Sequence, residues 1–77
     1  MPKLPVLKAK DVYKYLLKYG CEHVSVSGSH FKICNPKTGA VSVIPIHGGK
    51  DLDRPLLSAI LNQLNIDAAD FMKFIEN

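Results

Sequence analysis

Three short segments of alternating polar and apolar residues lie between Glu22 and Ile44, and they constrain the fold more than any other feature. Two turn signals separate them, Gly28-Ser29 and the stretch Asn35 to Gly39. Connections this short join antiparallel neighbours, because a parallel crossover needs a dozen or more residues. The pattern therefore predicts a three-stranded antiparallel sheet, with strands over residues 22–27, 29–34 and 40–44.

The alternation also assigns side chains to the two faces of this sheet. We expect one face to be packed and apolar, with Val24, Val26, Phe31, Ile33, Val41 and Val43. We expect the other face to be open to solvent, with His23, Ser25, Ser27, His30, Lys32 and Ser42. Pro45 predicts the end of the third strand or an edge position, since proline cannot donate to a ladder.

A helix is predicted on each side of the strand region. The first runs roughly from Ala9 to Tyr19, with its apolar side formed by Ala9, Val12, Leu16 and Tyr19, and Gly20 suits a left-handed cap. Residues before it, Lys3 to Lys8, form a short lead-in. The order of elements predicts a two-layer α+β domain over residues 1–77.

The second helix begins near Asp53 or Arg54, with Pro55 in its first turn, and Asn65 suits a left-handed stop. Asp67 then caps a short terminal helix, Ala68 to Ile75, which docks on the core. The predicted buried stripe of the second helix consists of Leu56, Leu57, Ile60, Leu61 and Leu64, and that of the terminal helix of Phe71, Phe74 and Ile75.

Charge is distributed unevenly along the chain. Residues 1–50 carry eight lysines against two acidic residues, a net of +6, whereas residues 51–77 have a net of −3. A basic half suggests contact with a polyanion, although ordinary solubilising charge explains it about as well. Three lysines recur every fourth residue on the outer side of the first helix and form a candidate phosphate track: Lys10, Lys14 and Lys18.

The segment Gly28-Ser29-His30-Phe31-Lys32 is the strongest candidate for chemistry. Period-two spacing puts His30 and Lys32 on one face, and Gly28 allows a tight turn or a close approach of backbone to a ligand. An imidazole beside an ammonium group is suited to holding and cutting a phosphodiester. A surface histidine after a hairpin turn is the simpler interpretation, and chemistry alone favours it.

A second candidate is the loop Ile46 to Asp51, in which Gly48 and Gly49 free backbone N–H groups to face an anion while His47 and Lys50 add donors. It lacks the spacing of a P-loop, so we do not infer nucleotide binding, and a strand-to-helix connector is the simpler interpretation. A zinc site from Cys21, His23, Cys34 and His47 matches no common ligand spacing, and we predict no metal or other cofactor.

The N-terminus lacks the apolar core of a secretion signal, and no apolar run approaches the roughly 18 residues of a membrane span. We therefore expect a cytoplasmic protein with no membrane association. Cys21 and Cys34 are then expected to be reduced thiols, with a disulfide between them possible after oxidation in air.

The chain resembles the HicA (YcfA-like) toxins of bacterial and archaeal toxin–antitoxin pairs over roughly residues 6–74. Four segments in this order and at these spacings carry the resemblance: Leu16-Leu17-Lys18-Tyr19-Gly20, Gly28-Ser29-His30-Phe31, Ile44 to Leu52, and Ile60 to Ile66. The resemblance implies a fold similar to the double-stranded RNA-binding domain, in the order α-β-β-β-α. It also implies an mRNA interferase that arrests translation and growth in stress, inhibited by a HicB-type antitoxin, with the catalytic histidine at His30.

From the chemistry of RNA we expect His30 to act as general acid or base, with RNA contacts from Gly28, Ser29, Lys32, His47, Lys50, Lys10, Lys14 and Lys18. The alternative is a non-catalytic module that binds double-stranded RNA, for which the fold and the lysine row suffice. Operator DNA is expected to be bound only through the antitoxin.

Overall fold

A computed structural model gives the fold, and the structure describes residues 4–76. Strands β2, β3 and β4 form one antiparallel sheet in that order, and β1 pairs separately with β5. The predicted α+β fold with a three-stranded antiparallel sheet is confirmed. The elements in chain order are β1 (Leu7–Lys8), α1 (Ala9–Tyr19), β2 (Glu22–Ser27), β3 (His30–Asn35), β4 (Ala40–Pro45), β5 (Asp51–Leu52), α2 (Arg54–Gln63) and α3 (Ala68–Glu76).

The core lies between the helices and one face of the sheet. Ile33 of β3 and Ile44 of β4 are fully buried there, and each such aliphatic side chain contributes about 1.5–3 kcal/mol by leaving water. The helical side of the core consists of Ala9, Val12 and Leu16 from α1, Leu57, Ile60 and Leu61 from α2, Leu64 after it, and Phe71 from α3.

Both long helices end as the sequence predicts. Gly20 has a φ of 128°, and the following Cys21 N–H donates to the Leu16 carbonyl at 2.9 Å. Asn65 has a φ of 58°, and Ile66 N–H donates to the Leu61 carbonyl at 2.9 Å. In each case the left-handed residue turns the chain so that a late carbonyl of the helix is satisfied.

Side-chain caps begin the second and third helices. The Asp53 carboxylate accepts from Leu56 N–H at 2.9 Å, and the Asp67 carboxylate accepts from Ala69 N–H at 2.8 Å. These bonds satisfy donors that have no partner within their helix. The terminal helix runs one residue beyond its predicted end and docks through buried Phe71, while the Phe74 ring lies 5.3 Å from the Tyr19 ring.

The predicted phase of the third strand is wrong. Val41 and Val43 are each 42% exposed, whereas Ser42 is 3% exposed. The register sets this phase, because Ile33 pairs with Ser42 and thereby puts both on the helical side. The buried Ser42 hydroxyl donates to Gln63 Oε1 at 2.6 Å, which offsets the cost of burying it.

The predicted faces of the first strand are also wrong in part. The register shifts between His23 and Ser25, so β2 carries a bulge at Val24. Val24 is therefore 47% exposed instead of packed, whereas Val26 pairs with Phe31 on the predicted face but is still 51% exposed. His23 turns to the helical side, where its Nδ1 lies 2.6 Å from the Tyr13 hydroxyl.

The N-terminal segment does more than lead into the first helix. Leu7 pairs with Leu52 and Lys8 with Asp51 in a short antiparallel ladder. The glycine loop predicted over residues 46–51 therefore ends one residue earlier than expected. The Leu4 carbonyl accepts from Arg54 Nε at 2.7 Å, which ties the same segment to the start of α2. The start of the predicted lead-in, Lys3, lies outside the described residues.

Strand β3 and helix α2 each differ slightly from the prediction. The second strand begins at His30 and ends at Asn35, one residue later than predicted at each end. Leu56 is 38% exposed and so does not belong to the buried stripe of α2. Across residues 4–76, no helix has both the length and the apolar character needed to cross a membrane.

Candidate nucleic-acid interface

The turn before the central strand is a two-residue hairpin connection formed by Gly28 and Ser29. Gly28 has a φ of 59°, as the first central position of a type II′ turn requires. A Cβ added there would meet no atom within 4 Å, so the demand for glycine is conformational rather than steric. The turn places the next residue, His30, at the very start of β3.

His30 and Lys32 share the open face of the sheet, as predicted. His30 lies opposite Ser27 on one side and Pro45 on the other, and the side chains of opposed residues point to the same face. Lys32 is opposed in the same way by Ser25 and Val43. Both side chains are exposed, and the helices pack on the other face.

The predicted glycine loop lies beside this turn. Ile46 N–H donates to the Ser29 carbonyl at 2.8 Å, which extends the β3–β4 ladder and holds the neighbouring His47 close to the hairpin. Lys50 N–H donates to the His47 carbonyl at 3.1 Å and closes the loop. The structure thus brings six predicted site residues to one end of the sheet: Gly28, Ser29, His30, Lys32, His47 and Lys50.

The lysine row lies in the other layer of the molecule. Lys10, Lys14 and Lys18 are exposed, but α1 packs on the face of the sheet opposite His30 and Lys32. Ala9 N–H donates to the Lys50 carbonyl at 3.1 Å, so the start of α1 lies beside the glycine loop. Each further lysine is about 6 Å farther along the helix axis. Only the first of the three is therefore next to the clustered residues.

Lys8 is a neighbouring cation that sequence reasoning missed. It is exposed, and its Nζ lies 4.0 Å from the position that a Cβ on Gly49 would occupy. Its place depends on the pairing of β1 with β5, and a ladder of two residues leaves no periodic pattern in a sequence.

An aromatic cluster joins α1 to the first two strands of the sheet. The Tyr13 ring packs edge-on against Phe31 with centroids 5.3 Å apart, and its hydroxyl bonds to His23. His23 is exposed, as His30 is, but it lies on the opposite face of the sheet. This cluster explains the position of His23 by packing and hydrogen bonding alone.

The four residues considered for zinc do not form a metal-binding group in the described part of the chain. Cys21 and Cys34 are free thiols; Cys21 is buried in the core, whereas Cys34 lies opposite Val41. Burial, and to a smaller extent the Cys34 thiolate, raises the pKa of Cys21. Within residues 4–76, no three His, Cys, Asp or Glu side chains are grouped so that they could hold a metal ion.

Comparison with known proteins places the chain in a family. No curated protein matches it. Residues 9–66 match the sequence model of a family described as the HicA toxin of bacterial toxin–antitoxin systems. The match spans α1, the whole sheet, the glycine loop and α2, and it covers more than half of the chain. The chain therefore belongs to the HicA family, the toxins of toxin–antitoxin pairs.

Proposed function

We propose that this toxin is a metal-independent endoribonuclease that cleaves mRNA in the cytoplasm and thereby inhibits translation and growth. The observation that supports it most is the display of His30 beside Lys32 on the sheet face opposite the helices, next to a glycine turn. A nucleotide can approach this imidazole from solvent. A histidine packed among aliphatic side chains would have no access to substrate.

The reaction uses the nucleophile that RNA itself carries. His30 takes the proton of a ribose 2′-hydroxyl, and the 2′-oxygen forms a bond to the adjacent phosphorus. The bond from phosphorus to the 5′-oxygen breaks, and that oxygen receives a proton from His47 or from water. The products are a 2′,3′-cyclic phosphate and a 5′-hydroxyl.

Two groups beside His30 suit the charge that develops during this step. The Lys32 ammonium shares its face, and backbone N–H groups lie around Gly28. Donors fixed before the reaction stabilise a phosphorane more than water does, because they need no reorganisation. Gly28, Ser29, His47 and Lys50, at or beside the turn, serve to bind the RNA strand near the cleaved bond. Lys10, Lys14 and Lys18, in the other layer, serve to bind a more distant part of the RNA.

The test is cleavage of end-labelled RNA by purified protein in the presence of a chelator. General acid–base catalysis typically contributes a factor of about 10²–10⁴, so His30→Ala is expected to lower the rate by that amount. The cleaved RNA is expected to carry a cyclic phosphate and a 5′-hydroxyl. Circular dichroism is expected to show an unchanged fold, since His30 is exposed.

His23→Ala is the matched control, because it removes an exposed histidine of the same sheet from the opposite face. It is expected to cleave at the wild-type rate. Cleavage by His30→Ala at the wild-type rate would refute the assignment. Products with a 3′-hydroxyl and a 5′-phosphate would refute the mechanism.

A second candidate function is RNA binding without cleavage. The observation that favours it is the row formed by Lys10, Lys14 and Lys18 on α1, which lies in a different layer from His30. A binder contacts duplex RNA through phosphates and 2′-hydroxyls and needs no imidazole. The two functions differ in one outcome: growth arrest on expression is lost in His30→Ala only if the protein is an enzyme.

The toxin acts with an antitoxin, and we propose a HicB-type protein that covers the open sheet face. Acidic side chains of such a partner would occupy the places of RNA phosphates beside His30 and Lys32. Binding to operator DNA would then reside in the antitoxin rather than in this chain.

A further inference from the structure

The outer edge of β4 is free, and the hydrogen-bond pattern identifies which residues present it. Pairs in an antiparallel ladder alternate between bonded and non-bonded, and Ser29 with Ile46 is a bonded pair. Counting along the register makes Phe31–Ile44 and Ile33–Ser42 bonded pairs as well. The N–H and C=O groups of Val41 and Val43 therefore point away from β3, and β4 has no second partner strand among residues 4–76.

This edge lacks the usual protection against pairing. Edge strands in native proteins are blunted by charges, prolines or bulges. The opposite edge, β2, has a bulge at Val24, whereas β4 is regular over six residues and has only Pro45 at its end. No charged side chain occurs in β4.

An apolar groove runs beside the same edge. The edge of β4 at residues 41–43 forms one wall, and Leu56, which is 38% exposed, stands on the other. Residues 41–43 line it together with Leu56, Ala59, Ile60 and Gln63, none of which carries a charge. Such a groove offers RNA phosphates no cation, and Lys and Arg supply most of the affinity of proteins for a phosphate backbone. It suits an extended peptide, which binds by main-chain hydrogen bonds and places alternate side chains in a pocket.

The position of the β4 edge and the charge of the chain indicate which protein would bind there. Val43 lies directly opposite Lys32, and Pro45 lies opposite His30, so a strand on β4 would adjoin the face that carries both residues. A second copy of this chain is opposed by charge, since each copy has a net charge of +3. The antitoxin is the partner that the toxin family requires.

We propose that the antitoxin adds an extended apolar segment to β4 as a fourth strand, with side chains in the groove between β4 and α2. The docking rests on family membership, whereas its effect on cleavage rests on the proposed function. The segment would anchor the antitoxin beside the His30 face. The part that covers His30 would then be held there by a contact that RNA does not use.

Binding of the purified cognate antitoxin, measured by calorimetry, tests this surface. Ala59→Lys and Leu56→Lys, both on the α2 wall of the groove, are each expected to weaken binding at least about tenfold, because truncating or charging the core of an interface has effects of this order. Val26→Lys is the matched control, since it adds the same charge to a half-exposed valine on the opposite edge strand. It is expected to change the affinity by less than about twofold.

The added charge sharpens the result. The control carries the same added charge as the groove variants, so a loss of affinity confined to the groove variants cannot arise from long-range charge. Hydrogen exchange of the wild-type complex gives a second readout that depends on no variant. The amides of Val41 and Val43 are expected to gain protection when the antitoxin binds.

Unchanged affinity of both groove variants, or unprotected amides at Val41 and Val43 in the complex, would overturn the proposal. A change in self-association or in RNA affinity without a change in antitoxin affinity would assign the groove to a second copy or to RNA and overturn it as well. If the wild-type protein fails to cleave RNA, the proposed function fails, while the antitoxin affinities still decide this proposal.

Discussion

The two edge strands of the sheet have the same length but different surroundings. All six residues of β2 are exposed, whereas β4 alternates and buries Ser42 and Ile44 beneath the helices. Side chains of α2 pack against β4, and the Ser42–Gln63 hydrogen bond joins the two elements. The β2 edge is held by its pairing with β3 and by the aromatic cluster around Tyr13.

This difference indicates where the molecule keeps its stability. Buried contacts concentrate on the β3–β4 half, and the turn that precedes His30 belongs to the β2–β3 half. Segments that bind ligands are commonly drawn from the less stable parts of a fold. The proposed site therefore includes part of the less buried half of the sheet.

Truncating one residue in each edge strand is the strongest test of the asymmetry. Ile44→Ala is expected to lower the free energy of unfolding by about 2–5 kcal/mol, because it leaves a cavity in the core. Val26→Ala removes a side chain that is 51% exposed and is expected to change it by less than about 0.5 kcal/mol. Urea unfolding measures both, and similar losses in the two variants would contradict the comparison.

A second test concerns the anchor at the β3–β4 turn. Buried Asn35 donates from Nδ2 to the Leu64 carbonyl at 2.8 Å, which ties the hairpin to the end of α2. Asn35→Ala leaves that carbonyl without its partner and also removes the bond that Lys37 N–H donates to Asn35 Oδ1, so it is expected to lower the free energy of unfolding by about 1–3 kcal/mol.

Thr38→Ala is the control for this turn, because the Thr38 hydroxyl accepts only an exposed bond from Ala40 N–H. Its effect on urea unfolding is expected to be smaller than that of Asn35→Ala. The reverse order would show that the turn, rather than its tie to α2, is what stabilises this half of the sheet.

The smallest expected effect is an alkaline loss of stability at the base of β2. Burial raises the pKa of Cys21, so the folded state holds the thiol proton more tightly than the unfolded state. This contribution is complete below about pH 8.5 and declines as the pH rises toward the higher pKa of the folded state. Cys21→Ala is expected to flatten the decline, and Cys34→Ala is expected to retain it.

Urea unfolding between about pH 7.5 and about pH 9.5 measures this decline, in a range that begins below the ionisation of tyrosine. The pKa of Tyr19 is also raised, by burial first and then by Asp70 and Asp67, so its contribution is lost at still higher pH. An equal slope in the Cys21→Ala variant would rule out this thiol as the cause.

The sequence was informative where local chemistry decides the outcome. Gly20 and Asn65 carry left-handed stops, and Asp67 caps its helix, because each acts on neighbours a few residues away. The faces of β4 were predicted in the wrong phase, because Val-Ser-Val-Ile fits either phase until a partner strand fixes the register.

The remaining errors have the same origin in distant contacts. The bulge at Val24 turns His23 toward Tyr13, and nothing in the strand sequence marks the extra residue. At the candidate site, His30 and Lys32 share a face as predicted, because period two survives within one regular strand. The separation of Lys14 and Lys18 from that face depends on how layers pack, which helix periodicity does not specify.

The bond from Ile46 to the Ser29 carbonyl uses main-chain atoms only. Replacement of the Ser29 side chain would therefore leave the hairpin attached to the glycine loop. The backbone holds the two histidine-bearing segments in place relative to each other. Substitutions of the side chains at this corner can therefore change the chemistry that it presents while the backbone that aligns the two segments stays the same.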